Sequence, residues 1–318
     1  MIVAHAEDIH AHAVKEEVNR LGFGAYVLDV QEFTSSYDLT TRIGASGTRM
    51  EIRLRDGDRL DLSEISGLWW RRLRYPLQPA GPDAAGGVFQ VVSEERRAAL
   101  VGSLCALVPN AFNDLGLSRQ AAHKPTQLVR ARDLGLHIPE TLVTNDEADV
   151  REFCGRDEVE TIYKMFTGSP FGLHGTRRLD GPDMDLLDRL HRCPAIFQEY
   201  VDGEYDIRAV VVGDEVFAAR IDYDRLADTI DTRFVDTTVS TCSLPPDLTR
   251  RLVQLVHGFG LVYSSIDLRY SKAFGYTFFE SNPEGQYLWL EIETGLPISR
   301  AIARRLTARG IAASRDSA

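Results

Sequence analysis

SSIDLRYSKAFGYTFFESNPEGQYLWL, Ser264–Leu290, is the stretch whose reading decides the fold. A run over Tyr263–Tyr270 reads as a strand carrying Asp267, and a second over Tyr276–Asn282 carries Glu280 and Asn282. Alternation along a strand sends residues i and i+2 to one face, so Glu280 and Asn282 point the same way. Two facing strands then gather two carboxylates and one amide oxygen. That hard-oxygen set suits Mg²⁺, which usually takes one or two carboxylates and completes its shell with nucleotide phosphates. A surface hairpin with scattered acids fits the same pattern, so the rest of the chain must decide.

Upstream, Asp206–Val212 and Glu215–Asp222 read as a hairpin closed by Gly213-Asp214. Arg208 and Arg220 lie on its two strands, and both can reach the oxygens of a transferring phosphate, where a guanidinium fork suits the geometry. An ordinary amphipathic hairpin with charged outer faces is the alternative. Before it, IFQEYVDGEYDIR (196–208) is an extended segment that turns through Asp202-Gly203 into the strand of Asp206. Such a hinge offers backbone donors and acceptors to an adenine edge and an acid to a ribose hydroxyl.

Lys164 stands inside an otherwise apolar strand, IYKMF (162–166). Burying its charge unpaired is costly, so it points to solvent or into a polar cleft. Directly after it comes FTGSPFGLHGTR (166–177), with Gly168, Gly172 and Gly175. Amides freed by glycines can cradle phosphate, and an ammonium adds a point charge. The loop is neither a Walker loop nor a dinucleotide fingerprint.

The chain has 318 residues, enough for about two domains, with ordinary apolar and charged fractions. Its net charge of −11 (36 basic against 47 acidic residues) argues against a general nucleic-acid binder, which shows a broad basic face. No basic n-region opens the sequence, and no apolar run is long enough to span a membrane. Cys105, Cys154, Cys193 and Cys242 lack CxxC spacing and read as reduced structural thiols of a cytoplasmic protein. His5, His10 and His12 suggest a metal, but on a helix His10 and His12 lie about 200° apart.

The first third reads as α/β. Strands are expected at Ile2–His5, Ala25–Val30, around Met50, Ile52 and Leu54, and at Gly67–Arg72. A helix carries Ala11, Val14, Val18 and Leu21, and Ser93 is expected to cap a long helix to about Val108. In the middle, Pro125 opens a helix, strands follow at Glu140–Thr144 and Thr161–Phe166, and 183–192 reads as helical. The last third adds a polar loop over about 223–243, a helix near 247–258 and a final helix from Pro297 to about Arg309, with a frayed tail.

The order of these pieces resembles the ATP-grasp superfamily: Lys124, Lys164 before a Gly-rich loop, the QEYV hinge, DIR, an Arg on the return strand, Asp267, then Glu280-Ser281-Asn282-Pro283. Within it the chain looks most like the ribosomal-peptide maturases of the graspetide class, such as the microviridin ligases. The motifs are WWRR (69–72), HKPTQLVRARDLGLHIPETLVTND (123–146), FQEYV (197–201), DIRAVVVGDEVFAARID (206–222), DTR (231–233), GLVYSSIDLR (260–269) and FESNPEGQYLWLEIETGLPISRAIARRL (279–306).

That resemblance implies an α/β (α+β) ATP-grasp fold with a pre-ATP-grasp domain over 1–115, a central subdomain over 116–200 and a C-terminal subdomain over 201–318. It implies ATP and two Mg²⁺ ions on Asp267, Glu280 and Asn282, with Glu280 bridging. Lys124, Lys164, Gly168, Gly172, Glu199, Tyr200, Val201, Glu204 and Asp206 would hold ATP, under a lid at 167–177. Arg208 and Arg220 would stabilise the transferring phosphoryl group. Arg71, Arg72, Arg177 and Arg233 would meet an acidic precursor peptide, although Arg71 and Arg72 could instead pair with internal acids. A homodimer is expected. The implied chemistry is phosphorylation of an Asp or Glu side chain of the peptide, then attack by a hydroxyl or amine. A ligase adding free amino acids to a protein tail or small acid, and a non-catalytic ATP-grasp binding module, are the competing classes.

Overall fold

The computed structural model describes residues 1–29, 37–54, 57–71, 87–108, 111–155, 160–167, 175–223 and 237–316. Its N-terminal part is built on β1 (Ile2–Val3), flanked in parallel by β2 (Val27–Leu28) and β6 (Trp69–Trp70). A parallel pair needs a crossover, which α1 (Ile9–Arg20) supplies. Asp8 caps α1 by accepting from the backbone N–H groups of His10 and Ala11. Ala11, Val14 and Val18 recur at helical spacing and are buried.

A second sheet orders β3 (Tyr37–Gly44), β4 (Gly47–Leu54) and β5 (Arg59–Asp61) antiparallel. Met50 and Ile52 alternate inward as expected and share a core with Leu100 and Leu104 of α2 (Gly87–Leu107). Helix α2 starts at Gly87, so Ser93 lies within it rather than capping it. Serine is only weakly unfavourable inside a helix, and the Ser-Glu-Glu signal is too local to stop one.

The middle holds α3 (Leu115–Ala121), α4 (Lys124–Asp133), β7 (Thr141–Thr144), α5 (Glu147–Cys154), β8 (Thr161–Lys164), β9 (Arg177–Arg178) and β10 (Ala195–Glu199). The sheet order is β7-β10-β8-β9, antiparallel. The helix expected over 183–192 is instead a short α6 (Gly181–Met184) and a 3-10 segment, Leu187–Arg192, that buries only Leu187, against Val150 and Phe197.

The C-terminal sheet runs β13-β12-β11-β14-β15, built from β11 (Tyr205–Val212), β12 (Glu215–Tyr223), β13 (Thr237–Thr241), β14 (Tyr263–Ser271) and β15 (Gly275–Asn282), all antiparallel. It is covered on both sides. Val210, Val212, Phe217, Ala219 and Tyr263 face α1 and α9 (Ile298–Asp316). Ile207, Ala209, Val211, Ala218, Ile266, Leu268 and Phe278 face α4 and α7 (Pro246–Gly258). Burial on both faces explains the unbroken apolar run 209–212.

Three expectations are corrected here. Thr237–Thr241 is a strand inside the expected loop, Leu288–Thr294 forms an additional helix α8 closed by left-handed Gly295, and α9 continues to Asp316. All four cysteines are free, and among the described residues no helix is long and apolar enough to cross a membrane.

Candidate active site

The site begins where the first face of the C-terminal sheet stops being apolar. Along β11, Val212 and Val210 give way to Arg208 and Asp206. Arg208 is the register partner of Asp267, and Asp267 in turn is the partner of Glu280. Asn282 lies opposite Ser265, two residues on from Glu280 and on its face. A β-bulge at Asp267/Leu268 leaves Phe279 without a partner between Glu280 and Phe278. Bulges re-aim side chains beside functional sites; this one brings Phe279 against the guanidinium of Arg269, 5.4 Å from its ring centre.

Arg208 Nη1 meets Asp267 Oδ1 at 2.8 Å. Lys124, at the head of α4, donates to Glu280 Oε2. A buried amide holds α4 there: Gln127 Nε2 donates to the carbonyls of Ala121 (2.6 Å) and Ser281 (2.7 Å), and Gln127 Oε1 accepts from the Ser281 N–H (3.0 Å). Gln127 is one turn beyond Lys124 on the same helix, so it fixes the lysine against β15. Sequence reading missed it; a glutamine at i+3 from a candidate lysine on an apolar helix face was the available signal.

Lys164 ends β8 and comes within electrostatic range of Glu280 and Asp267. Burial pushes its ammonium down to about 8, helped by Lys124 and opposed by the two carboxylates. Burial also pushes Asp267 up to about 6; Glu280 and Asp206 push the same way, while Arg208 and Lys124 oppose the rise. For Glu280 burial acts upward too, but Lys124, Lys164 and Arg208 outweigh it and hold the carboxyl below its usual range. Two half-buried carboxylates facing each other need compensating cations, and here three side chains surround them.

Asp267, Glu280 and the amide of Asn282 form a donor set that fits Mg²⁺ in charge and hardness. Among the described residues no group of three or more His, Cys, Asp or Glu gathers as a metal cage; the third oxygen is an amide. A cavity of about 260 Å³ opens between the head of α4 and the end of β8, lined by Lys124, Pro125, Thr126, Phe166 and Thr167 among others. His123 heads α4 without a side-chain capping hydrogen bond, and Pro125 has no N–H to be capped; a helix N-terminus favours anions.

Other expected residues are placed differently. Arg220 lies opposite Ile207, not Arg208, so the two arginines project from opposite faces and do not share one phosphate. Counting back from Val212↔Glu215 across the two-residue turn gives the same result. Arg220 instead pairs with Asp222 at 2.6–2.9 Å and lies 3.9 Å over the Tyr205 ring. Asp206 gives both oxygens to the buried Arg269, at 2.6 and 3.0 Å, rather than standing ready for a ribose. Arg269 also donates to the Val201 carbonyl at 3.1 Å, which anchors the hinge.

In the hinge, the N–H groups of Glu199 and Tyr200 are already taken by the carbonyls of Glu140 and Glu160. They are therefore not donors for adenine. Glu204 pairs with Lys272 at 2.7 Å. Arg71 is 1% exposed and inside the protein. It lies 3.4 Å from Asp8 and donates to the carbonyls of Glu284 (2.6 Å) and Gly285 (3.2 Å), so the internal-pair alternative holds and surface peptide binding does not. Arg177 is exposed on β9. Gly168, Gly172, Arg72 and Arg233, with most of the 167–177 loop, lie outside the described residues. His10 is buried beside Asp8 and accepts from the Tyr287 N–H, while His12 meets the Ala6 carbonyl; they form no metal pair.

The family model of the MvdD pre-ATP grasp domain matches residues 1–116. No curated protein matches the chain. Among solved structures, macrocyclase MdnC bound with precursor peptide MdnA from Microcystis aeruginosa MRC is similar at TM-score 0.87 and 30% identity, over 96% of this chain and 98% of that one. The Chryseobacterium gregarium RiPP-associated ATP-grasp ligase, in complex with ADP and a leader and core peptide, gives TM-score 0.87 at 25% identity over 97% and 96%. ATP-grasp ligase PsnB, complexed with a phosphomimetic variant of its minimal precursor, Mg and ADP, gives TM-score 0.76 at 26% identity over 97% of each chain.

Proposed function

Since the chain belongs to the ATP-grasp family of ribosomal-peptide macrocyclases, we propose that it uses ATP to close side-chain rings in a ribosomally made precursor peptide. The γ-phosphoryl group of ATP passes to an Asp or Glu side chain of the peptide, releasing ADP. A peptide hydroxyl or amine then displaces phosphate, leaving an ω-ester or ω-amide. The observation that carries this reading is the Asp267–Glu280 pair with Asn282 on the same face, set among Arg208, Lys124 and Lys164.

In this reading Asp267, Glu280 and Asn282 would hold two Mg²⁺ ions. When bound, Mg²⁺ screens the repulsion between triphosphate and carboxylate and stabilises the charge in transfer. Lys124 and Lys164 supply fixed positive charge to the phosphates, and Arg208 steadies the transferring phosphoryl group. Arg220 takes no part. Glu199–Val201 forms the adenine wall through carbonyls and side chains rather than the two occupied N–H groups. Arg177 remains available on the surface for an acidic peptide. The same reading divides the chain at 1–115, 116–200 and 201–318, supported by the family match ending at 116, and makes it a cytoplasmic homodimer.

The test is chemical trapping. With ATP, Mg²⁺ and an acidic precursor peptide, hydroxylamine should intercept the acyl phosphate and leave a hydroxamate on an Asp or Glu side chain. ADP release with no hydroxamate and no ring would count against the reading.

A further inference from the structure

The turn that follows the metal-ligand strand is gripped from outside the C-terminal sheet. Asn113 is the anchor. It is 2% exposed, and it holds a left-handed backbone, φ 54°, the one non-glycine residue with positive φ among the described residues. Asparagine tolerates that conformation better than most residues but at a cost. Its side chain makes four hydrogen bonds. Nδ2 donates to the carbonyls of Tyr263 (2.7 Å) and Pro283 (3.1 Å), and Oδ1 accepts from the N–H groups of Val262 (2.8 Å) and Tyr263 (2.9 Å).

Asn113 therefore ties the start of β14 to the turn after β15. The next two carbonyls of that turn are also held. Arg71 Nη1 donates to Glu284 and Gly285, and the Tyr263 hydroxyl donates to Gly285 at 2.7 Å. The far side of the turn rests on His10, which accepts from the Tyr287 N–H at 3.3 Å. Inside the turn, the Glu284 N–H donates to Asn282 Oδ1 at 3.0 Å. A chain of bonds thus runs from the N-terminal α/β part to the amide oxygen expected to meet the metal. At Gly285 the packing leaves no room for a side chain: an added Cβ would stand 2.3 Å from Ser265 Cβ.

We propose that Asn113, assisted by Arg71, is a positioning residue that sets the Asn282 amide for metal binding. The N-terminal part then serves the site mechanically, through three successive carbonyls of Pro283–Gly285. This rests on reading Asp267, Glu280 and Asn282 as the metal site. Partners that orient metal ligands matter nearly as much as the ligands.

The experiment measures Mn²⁺ affinity in the presence of saturating ADP, by electron paramagnetic resonance of free Mn²⁺, on the full chain. Asn113→Gly is the informative variant, because glycine keeps the left-handed backbone while removing all four hydrogen bonds. It should weaken Mn²⁺ about tenfold and leave metal-free ADP affinity unchanged. Arg71→Lys, which keeps the charge and one donor nitrogen, should lose less. Phe112→Leu, a core change at the neighbouring residue, should lower the melting temperature yet keep Mn²⁺ affinity. If Asn113→Gly binds Mn²⁺ as wild type while Glu280→Gln does not, the positioning role is wrong and the metal site stands. If Glu280→Gln also binds as wild type, the metal-site reading falls and this proposal with it.

Discussion

Arg208 and Asp267 are direct cross-strand partners, joined at 2.8 Å on the central pair of the C-terminal sheet. Arg220, one hairpin strand away, points to the other face. Removing the first should therefore damage chemistry, and removing the second should not. Arg208→Met is expected to lower kcat by about 10²–10³, the usual effect of losing a donor aimed at developing charge. Arg220→Met should leave kcat within about twofold and cost about 1 kcal/mol of stability through its half-exposed ion pair and ring contact. Steady-state kinetics and urea unfolding on both variants check this; equal kcat losses would refute the separation of faces.

Lys164 gives the site a pH signature. Burial holds its ammonium at about 8 in the free protein, so it is charged below that value and neutral above it. ATP affinity should fall as pH rises through about 8. Arg stays charged throughout, so Lys164→Arg should flatten the fall. Calorimetric titration of ATP on both proteins either side of that pH decides it, and parallel pH profiles would exclude Lys164 as the titrating group.

Asp8 should show its charge in acid unfolding. Burial alone would raise its carboxyl, but the hydrogen bond with His10, the charge of Arg71 and the Ala11 N–H outweigh it and leave it well below the usual range. A carboxyl depressed in the folded state stabilises above its unfolded pKa, about 3.9, and that contribution is lost as pH falls through the folded value. Asp8→Asn keeps a capping side chain but leaves Arg71 without its counter-charge, at a cost of roughly 3 kcal/mol near neutral pH. The gap between variant and wild type should shrink below about pH 4. A gap independent of pH would show that the charge is not what is lost.

Gly285→Ala tests the tight turn. The new methyl would meet Ser265 Cβ at 2.3 Å and Oγ at 2.5 Å, so overpacking should cost about 1–3 kcal/mol. Thermal unfolding reads this directly; an unchanged melting temperature would mean the turn relaxes freely.

Much of this was legible in the sequence because it is local. The triad strands, the Gly213-Asp214 hairpin, the helix opening at Pro125 and the inward alternation of Met50 and Ile52 all follow from periodicity and turn chemistry. The face of Arg220 was legible as well, by counting register across the two-residue turn. For Arg71 the sequence left peptide binding and internal pairing both open, because its partners Asp8 and Glu284 are far away in the chain and nothing local marks an arginine for burial. Asn113 and Gln127 were hidden for the same reason: their value lies in backbone groups of β14 and β15 that only folding brings to them. Strand β13 was missed because TTVST is polar and lies among polar residues, although its β-branched side chains favour a strand; pairing to β12 completes it.

The most direct measurement is the mass of an acidic precursor peptide after incubation with the protein, ATP and Mg²⁺. The predicted result is loss of one water per ring formed, abolished by Glu280→Gln. A peptide that gains amino-acid residues, or ring formation that survives Glu280→Gln, would contradict the account.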